Sequence, residues 1–276
     1  MSVILTTDER QLEQIRLAHV QAVIYEPSEL PKWFEELANA VECGAFRFQR
    51  TILNDVGYNQ IEAWLEASLP KNAVAAEVCD ALQRDILSLV ELVCRSTGAS
   101  RFIFRAVTAS PNHHCGFHVD TVPPGAVPWG LLRVYNGAGT DYIEPSNVKT
   151  TQDFYRYLSR RERLVRDWCN AKKNEDMIAC DSLMARIAAL DKERAFLKRP
   201  GDVFTVPSGC IVAFKHLDIR LHWSNHTNEL AWLHCSPMQG APRFLVNISP
   251  CTLAAKRRSD FQSADMRARG GLDRSI

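Results

Sequence analysis

The chain has 276 residues, 46% of them hydrophobic, enough to bury one large core or two small ones. Its 33 basic residues balance 32 acidic ones, so no overall field recruits nucleic acid or an anionic membrane, and a small-molecule or protein partner is expected instead. Nine scattered cysteines with no CxxC pair exclude a zinc ribbon and read as reduced, mostly buried thiols; with no basic leader and no apolar run near the ~20 residues of a membrane span, the expected location is the cytoplasm.

In chain order, "SELPKWFEELANAVE" (28–42) opens with Ser and Pro and repeats Trp33, Phe34, Leu37 and Val41 at helical spacing, predicting an amphipathic helix. A longer helix is predicted over about 72–95, where Val74, Val78, Ala81, Leu82, Leu89, Val90 and Val93 form an apolar stripe that stops before Gly98. Residues 1–100 are therefore expected as a helical region packed on a core. From Arg101 the texture changes to short β-rich runs, "RFIFRAV", "WGLLRVYN", "DVFTVPSG", "CIVAFKH", "ELAWLHCS" and "RFLVNIS", divided by Gly, Pro and Asn turns. Residues 150–198 interrupt them with a charged stretch of helical period, read as an inserted helical pair. The tail 251–276 is polar and expected to fray.

The chemistry concentrates in "HHCGFHVD" (113–120). In an extended segment, residues two apart share a side, so His118 and Asp120 can present an imidazole and a carboxylate to one point. A 2-His-1-carboxylate site for non-haem Fe(II) needs one more histidine and keeps positions open for co-substrate and dioxygen. His234 in "LAWLHCSP" is the best candidate. It ends a β-rich run and precedes by nine residues Arg243, whose guanidinium can pair with a carboxylate in a fork geometry.

The order HxD (His118, Asp120), "YNGAGTDY" (135–142), "PGDVFTVPSGCIVAF", His234, "SPMQG" and Arg243 resembles the iron- and 2-oxoglutarate-dependent oxygenases, in the layout of their prolyl-hydroxylase-like branch. The resemblance covers about residues 101–250. It implies an α+β fold with a double-stranded β-helix (jelly-roll, cupin-like) core, against which the N-terminal helices are expected to pack; the long helical insertion 150–198 departs from the family's pattern and is expected to form a lid. It also implies Fe(II) on His118, Asp120 and His234, and 2-oxoglutarate held by Arg243 with Tyr135 nearby. Arg133, on the face of Tyr135, is an alternative anchor. The activity implied is oxidation of a C–H bond of a small molecule, hydroxylation by default, with dioxygen as partner. Because Asp120 is a carboxylate, halogenation is not expected. The Arg-x-Ser pairing of such enzymes is absent, since Phe244 and Leu245 follow Arg243. The same landmarks resemble a bacterial family of unknown function that shares "FHVD", "YxGxGT" and "LHxSP".

Competing readings remain at this level. The same ligands serve a cupin-like enzyme without 2-oxoglutarate, and the His and Cys of 113–118 suit a metal-handling protein. His113 and His114 read as loop residues and Cys115 as structural. His222 and His226, at i and i+4, form a rival metal pair. Cys235 beside His234 evokes a thiol nucleophile, but adjacent strand residues face opposite ways. "SRRERLVR" (159–166) reads as a solvated helix face. Trp129 and Trp232 read as core aromatics.

Overall fold

Two strands open the chain in the computed structural model, which describes residues 2–111, 116–221 and 231–251. Strand β2 (Val20–Tyr25) is buried almost throughout and pairs in parallel with β1 (Ser2–Thr6), the two joined through a 3-10 helix at Glu9–Arg16. With β3 (Thr51–Val56), these strands come from the first hundred residues, where the sequence periodicity singled out helices alone. The two predicted helices are present as α1 (Trp33–Glu42) and α3 (Ala76–Thr97), and α2 (Tyr58–Ser68) lies between them. Helix α3 stops at Gly98, whose φ of 70° is cheap only without a Cβ.

The β-rich runs form β4 (Phe102–Ala109), β5 (Thr121–Val122), β6 (Trp129–Val134), β7 (Asp141–Tyr142), β8 (Phe204–Thr205), β9 (Ile211–Lys215), β10 (Leu217–Asp218), β11 (His234–Cys235) and β12 (Arg243–Pro250). Seven strands make one sheet in the order β1-β2-β9-β6-β12-β4-β3, antiparallel everywhere except at β1-β2. A small sheet, β11-β7-β8, is extended at β11 by an antiparallel bridge between His118 and His234. The architecture is mixed α/β, with one large mixed sheet and α1–α3 packed on one of its faces.

Alternation along the strands divides the interior into three apolar clusters. Phe102, Phe104, Leu131, Phe244, Val246 and Ile248 face α1–α3. The alternate residues Val107, Leu132, Val134, Val212, Phe214 and Leu245 meet Tyr142 and Trp232 across the space between the two sheets. The third cluster joins the back of the small sheet to the insertion, an antiparallel pair of helices α4 (Thr151–Lys173) and α5 (Met177–Glu193). Thr150 and Asp176 cap these helices by accepting from the Asp153 and Ala179 amides. Among the described residues no helix is long and apolar enough to cross a membrane. Residues 252–276 of the predicted tail lie outside the described residues.

Candidate metal centre

Phe117 and Val119 enter the apolar cluster that they share with Leu233, Cys235 and the insertion. Period-two alternation therefore turns His118, Asp120 and His234 the other way, toward the large sheet. The backbones of the two histidines lock together: His118 N–H donates to the His234 carbonyl at 2.9 Å, and His234 N–H returns to the His118 carbonyl at 3.1 Å. Their rings lie 4.5 Å apart. His118 Nδ1 meets the Gly116 carbonyl at 2.9 Å and His234 Nδ1 the Trp232 carbonyl at 3.1 Å. A carbonyl only accepts, so both Nδ1 atoms carry the proton and both Nε2 atoms are left as donors to a metal. Asp120 completes the group, with His118 Nε2 at 3.5 Å and His234 Nε2 at 4.0 Å from its oxygens. One ligand atom from each of the three residues lies within 4.8 Å of the others.

The electrostatics are those of a site short of positive charge. Burial works against ionising Asp120, but the His118 hydrogen bond and the neighbouring imidazoles outweigh it and hold the carboxyl well below its usual range. Burial also opposes protonation of His118, and the Asp120 hydrogen bond and charge more than offset this, raising its pKa above 6.5. His234 behaves oppositely: burial, then the nearby His118, push it down to about 4. Trp232 explains that burial, since its ring stacks on His234 at 4.5 Å.

The wall facing the three residues carries groups that the sequence reading did not weigh. His216 follows β9 on the face of Val212 and Phe214; its ring sits 4.8 Å from Phe214, and its buried Nδ1 has no hydrogen-bond partner among the described residues. Burial lowers its pKa against the pull of Asp120. Gly130 makes room for it, because a Cβ there would stand 3.0 Å from His216 Cε1 and 2.8 Å from Ser249 Oγ. Arg105 and Asn247 are paired across β4 and β12 on the same inner face. The available signal was the period of two: His216 continues 212 and 214, and Arg105 interrupts 103 and 107.

Arg243, at the start of β12, shares its face with Leu245 and is buried. Its guanidinium donates to the Ala138 carbonyl at 3.2 Å and to Ser236 Oγ at 3.1 Å, the latter two residues beyond His234. Asn136 holds the backbone on either side of it, donating to the Pro242 carbonyl at 2.9 Å and accepting from Phe244 N–H at 2.7 Å. Gly139 of "NGAGT" is also required, since a Cβ there would fall 1.6 Å from the Val206 carbonyl oxygen.

Arg133 and Tyr135, predicted to face a co-substrate, lie on the opposite side of the large sheet. Both bind Asp85 of α3, Arg133 Nη1 at 2.6 Å and Tyr135 Oη at 2.7 Å, and Tyr135 packs against Phe34 and Phe244. The reason is register: Leu132 and Val134 face the interior, so 133 and 135 cannot. Cys235 faces the insertion, and burial pushes its thiol far up, out of nucleophilic range. The insertion is not placed as a lid either, because it packs behind the ligand-bearing segments. His113, His114, Cys115, His222 and His226 lie outside the described residues.

Over residues 6–172, more than half its length, the chain matches the family described as "Protein of unknown function (DUF1826)". The chain belongs to this family. The match takes in His118 and Asp120 and ends before His234. Among curated proteins none matches. Solved structures that resemble the chain include the dioxygenase for auxin oxidation (DAO) in rice, 13% identical over 91% of this chain and 83% of that one with a TM-score of 0.43, and the apo Kdo hydroxylase KdoO, a non-heme Fe(II) alphaketoglutarate dependent dioxygenase, 9% identical over the whole of both chains with a TM-score of 0.44. Likenesses this weak carry no inference about activity.

Proposed function

We propose that this chain is a non-haem Fe(II)- and 2-oxoglutarate-dependent oxygenase that oxidises a C–H bond of a small molecule, by default to the alcohol. The observation that carries the reading is the convergence of His118, Asp120 and His234 with both Nε2 atoms turned inward. Two imidazoles and one carboxylate, with no thiolate in the group, fit Fe(II) and leave further coordination positions for other ligands. The strand orders support a double-stranded β-helix: β9-β6-β12-β4 form one wall, and the His118 bridge with β11-β7-β8 forms the other. When bound, iron supplies dioxygen activation coupled to decarboxylation of 2-oxoglutarate to succinate.

In this reading Arg243 binds the distal carboxylate of 2-oxoglutarate, whose charge would otherwise be costly between two apolar walls. The Ala138 carbonyl and Ser236 hold that guanidinium in place, and Asn136 fixes the backbone on either side of it. Arg105, Asn247, Ser249 and His216 offer polar partners to the substrate, which suits an amino acid or a similarly polar small molecule. The free thiols of the described cysteines agree with a reducing cytoplasm.

The test is anaerobic titration of the Fe(II)-loaded protein with 2-oxoglutarate, followed by metal-to-ligand charge-transfer absorption. The band is expected with the wild type. Arg243→Ala should weaken 2-oxoglutarate binding at least tenfold with little change in iron affinity, whereas His234→Ala should lose both. Tight iron binding without any band would replace this reading with a cupin-like enzyme that does not use 2-oxoglutarate.

A further inference from the structure

The charge run of α4 contains one arginine that is not solvated. Arg161 is 5% exposed and forks onto Asp191 of α5, itself 1% exposed, with Nε to Oδ1 at 2.8 Å and Nη2 to Oδ2 at 2.9 Å. Tyr157, one turn before Arg161, donates its hydroxyl to the same carboxylate at 2.7 Å. That hydroxyl oxygen also accepts from the backbone N–H of Phe117 at 3.2 Å. The N–H belongs to the peptide unit whose carbonyl, that of Gly116, receives His118 Nδ1. One peptide plane is therefore held at both poles, by the insertion on one side and by the imidazole on the other. The fit needs a glycine: a Cβ at residue 116 would lie 2.0 Å from Arg161 Nε and 2.5 Å from Tyr157 Oη.

We propose that Tyr157, held by Asp191 and Arg161, is a positioning residue for His118, fixing through the Gly116–Phe117 peptide the Nδ1–H tautomer and the direction of Nε2. The proposal rests on the metal reading above. Its physics is a chain of polarised hydrogen bonds in a buried setting. The Asp191 carboxylate draws the phenolic proton, making the oxygen a better acceptor for Phe117 N–H; the bound amide in turn makes the Gly116 carbonyl a better acceptor for His118. A histidine ligand so held keeps one tautomer and a more basic Nε2. His234 is oriented more simply, by the Trp232 carbonyl two residues before it. The insertion thus supports the metal from behind.

The experiment uses the full chain, with Tyr157→Phe removing the hydroxyl but keeping the ring against Phe196, 4.6 Å away. Leu183→Ala, in the same apolar cluster but outside the relay, is the control for loosened packing. Cobalt(II) affinity is expected to fall about 10- to 100-fold in Tyr157→Phe, and to stay within twofold in Leu183→Ala although its Tm drops. The paired exchange of Arg161→Met with Asp191→Leu, which leaves no charge buried without a partner, serves where Tyr157→Phe does not fold. In the metal-free protein, at a pH high enough for His118 to be neutral, ¹⁵N shifts of the imidazoles should show His118 as the Nδ1–H form in the wild type and as a tautomer mixture in Tyr157→Phe. Unchanged cobalt affinity in Tyr157→Phe, an equal loss in Leu183→Ala, or an unchanged His118 tautomer would each overturn the proposal. A wild type that binds no cobalt would sink the metal reading alone, and the tautomer measurement would still judge the relay.

Discussion

Asp85, Arg133 and Tyr135 on the helix-covered side of the large sheet, and Asp191, Arg161 and Tyr157 behind the small sheet, are built from the same three residue types. In both groups an aspartate, half-buried at Asp85 and buried at Asp191, takes a guanidinium and a phenol. Their connections differ. The first ties α3 to β6 and ends there, among Phe34, Phe244 and other aromatic rings. The second continues through a backbone amide to the histidine of the candidate metal centre. On the proposed reading only the second group supports the metal, and the chemistry of the two groups by itself does not distinguish them.

The comparison can be broken first by removing charge. Arg133→Met leaves the half-buried Asp85 without its counter-ion, and burial already raises that carboxyl despite Arg133 and Tyr135. A loss of about 3–5 kcal/mol in urea unfolding is expected, with cobalt affinity within twofold of wild type. A large fall in affinity would join the two groups functionally and end the contrast.

The matched tyrosines sharpen it. Tyr135→Phe and Tyr157→Phe each delete a buried hydroxyl bound to a carboxylate, so each should cost about 1–3 kcal/mol of stability. Only Tyr157→Phe should also move metal affinity.

The smallest effect concerns protons. In the metal-free protein His118 stays protonated above pH 6.5, while His234, at about 4, is already neutral. Imidazole must be neutral to ligate, so binding near pH 6 should release one proton, from His118. Affinity should then weaken about tenfold per unit as pH falls below the His118 value, and more steeply below about pH 4 as His234 also protonates. Arg133→Met should leave this profile in place, because no Asp85 proton is displaced by metal.

Much of the candidate site was legible because it depends on short-range alternation. HxD in an extended segment and the face of Arg243 follow from a period of two, and His234 from its place at the end of a β-rich run; the structure brings His118, Asp120 and His234 together. What escaped depends on the partner of each face. β2 is buried on both sides, so "VQAVIY" shows no alternation to read. The register that turns Leu132 inward turns Arg133 and Tyr135 out, which a single strand cannot reveal. Arg161 was hidden in a charge run, yet it lies on the stripe of Phe154, Leu158 and Val165, as Asp191 lies one turn after Ile187. A charge on an apolar stripe was the signal for a buried pair.

The most direct test of the metal centre is anomalous diffraction at the iron edge from crystals of the Fe(II)-loaded protein grown without oxygen. One peak is expected, in bonding contact with His118 Nε2, His234 Nε2 and an Asp120 oxygen, and it should vanish in His234→Ala. A peak ligated by other residues, or none at the three side chains under saturating iron, would contradict the account.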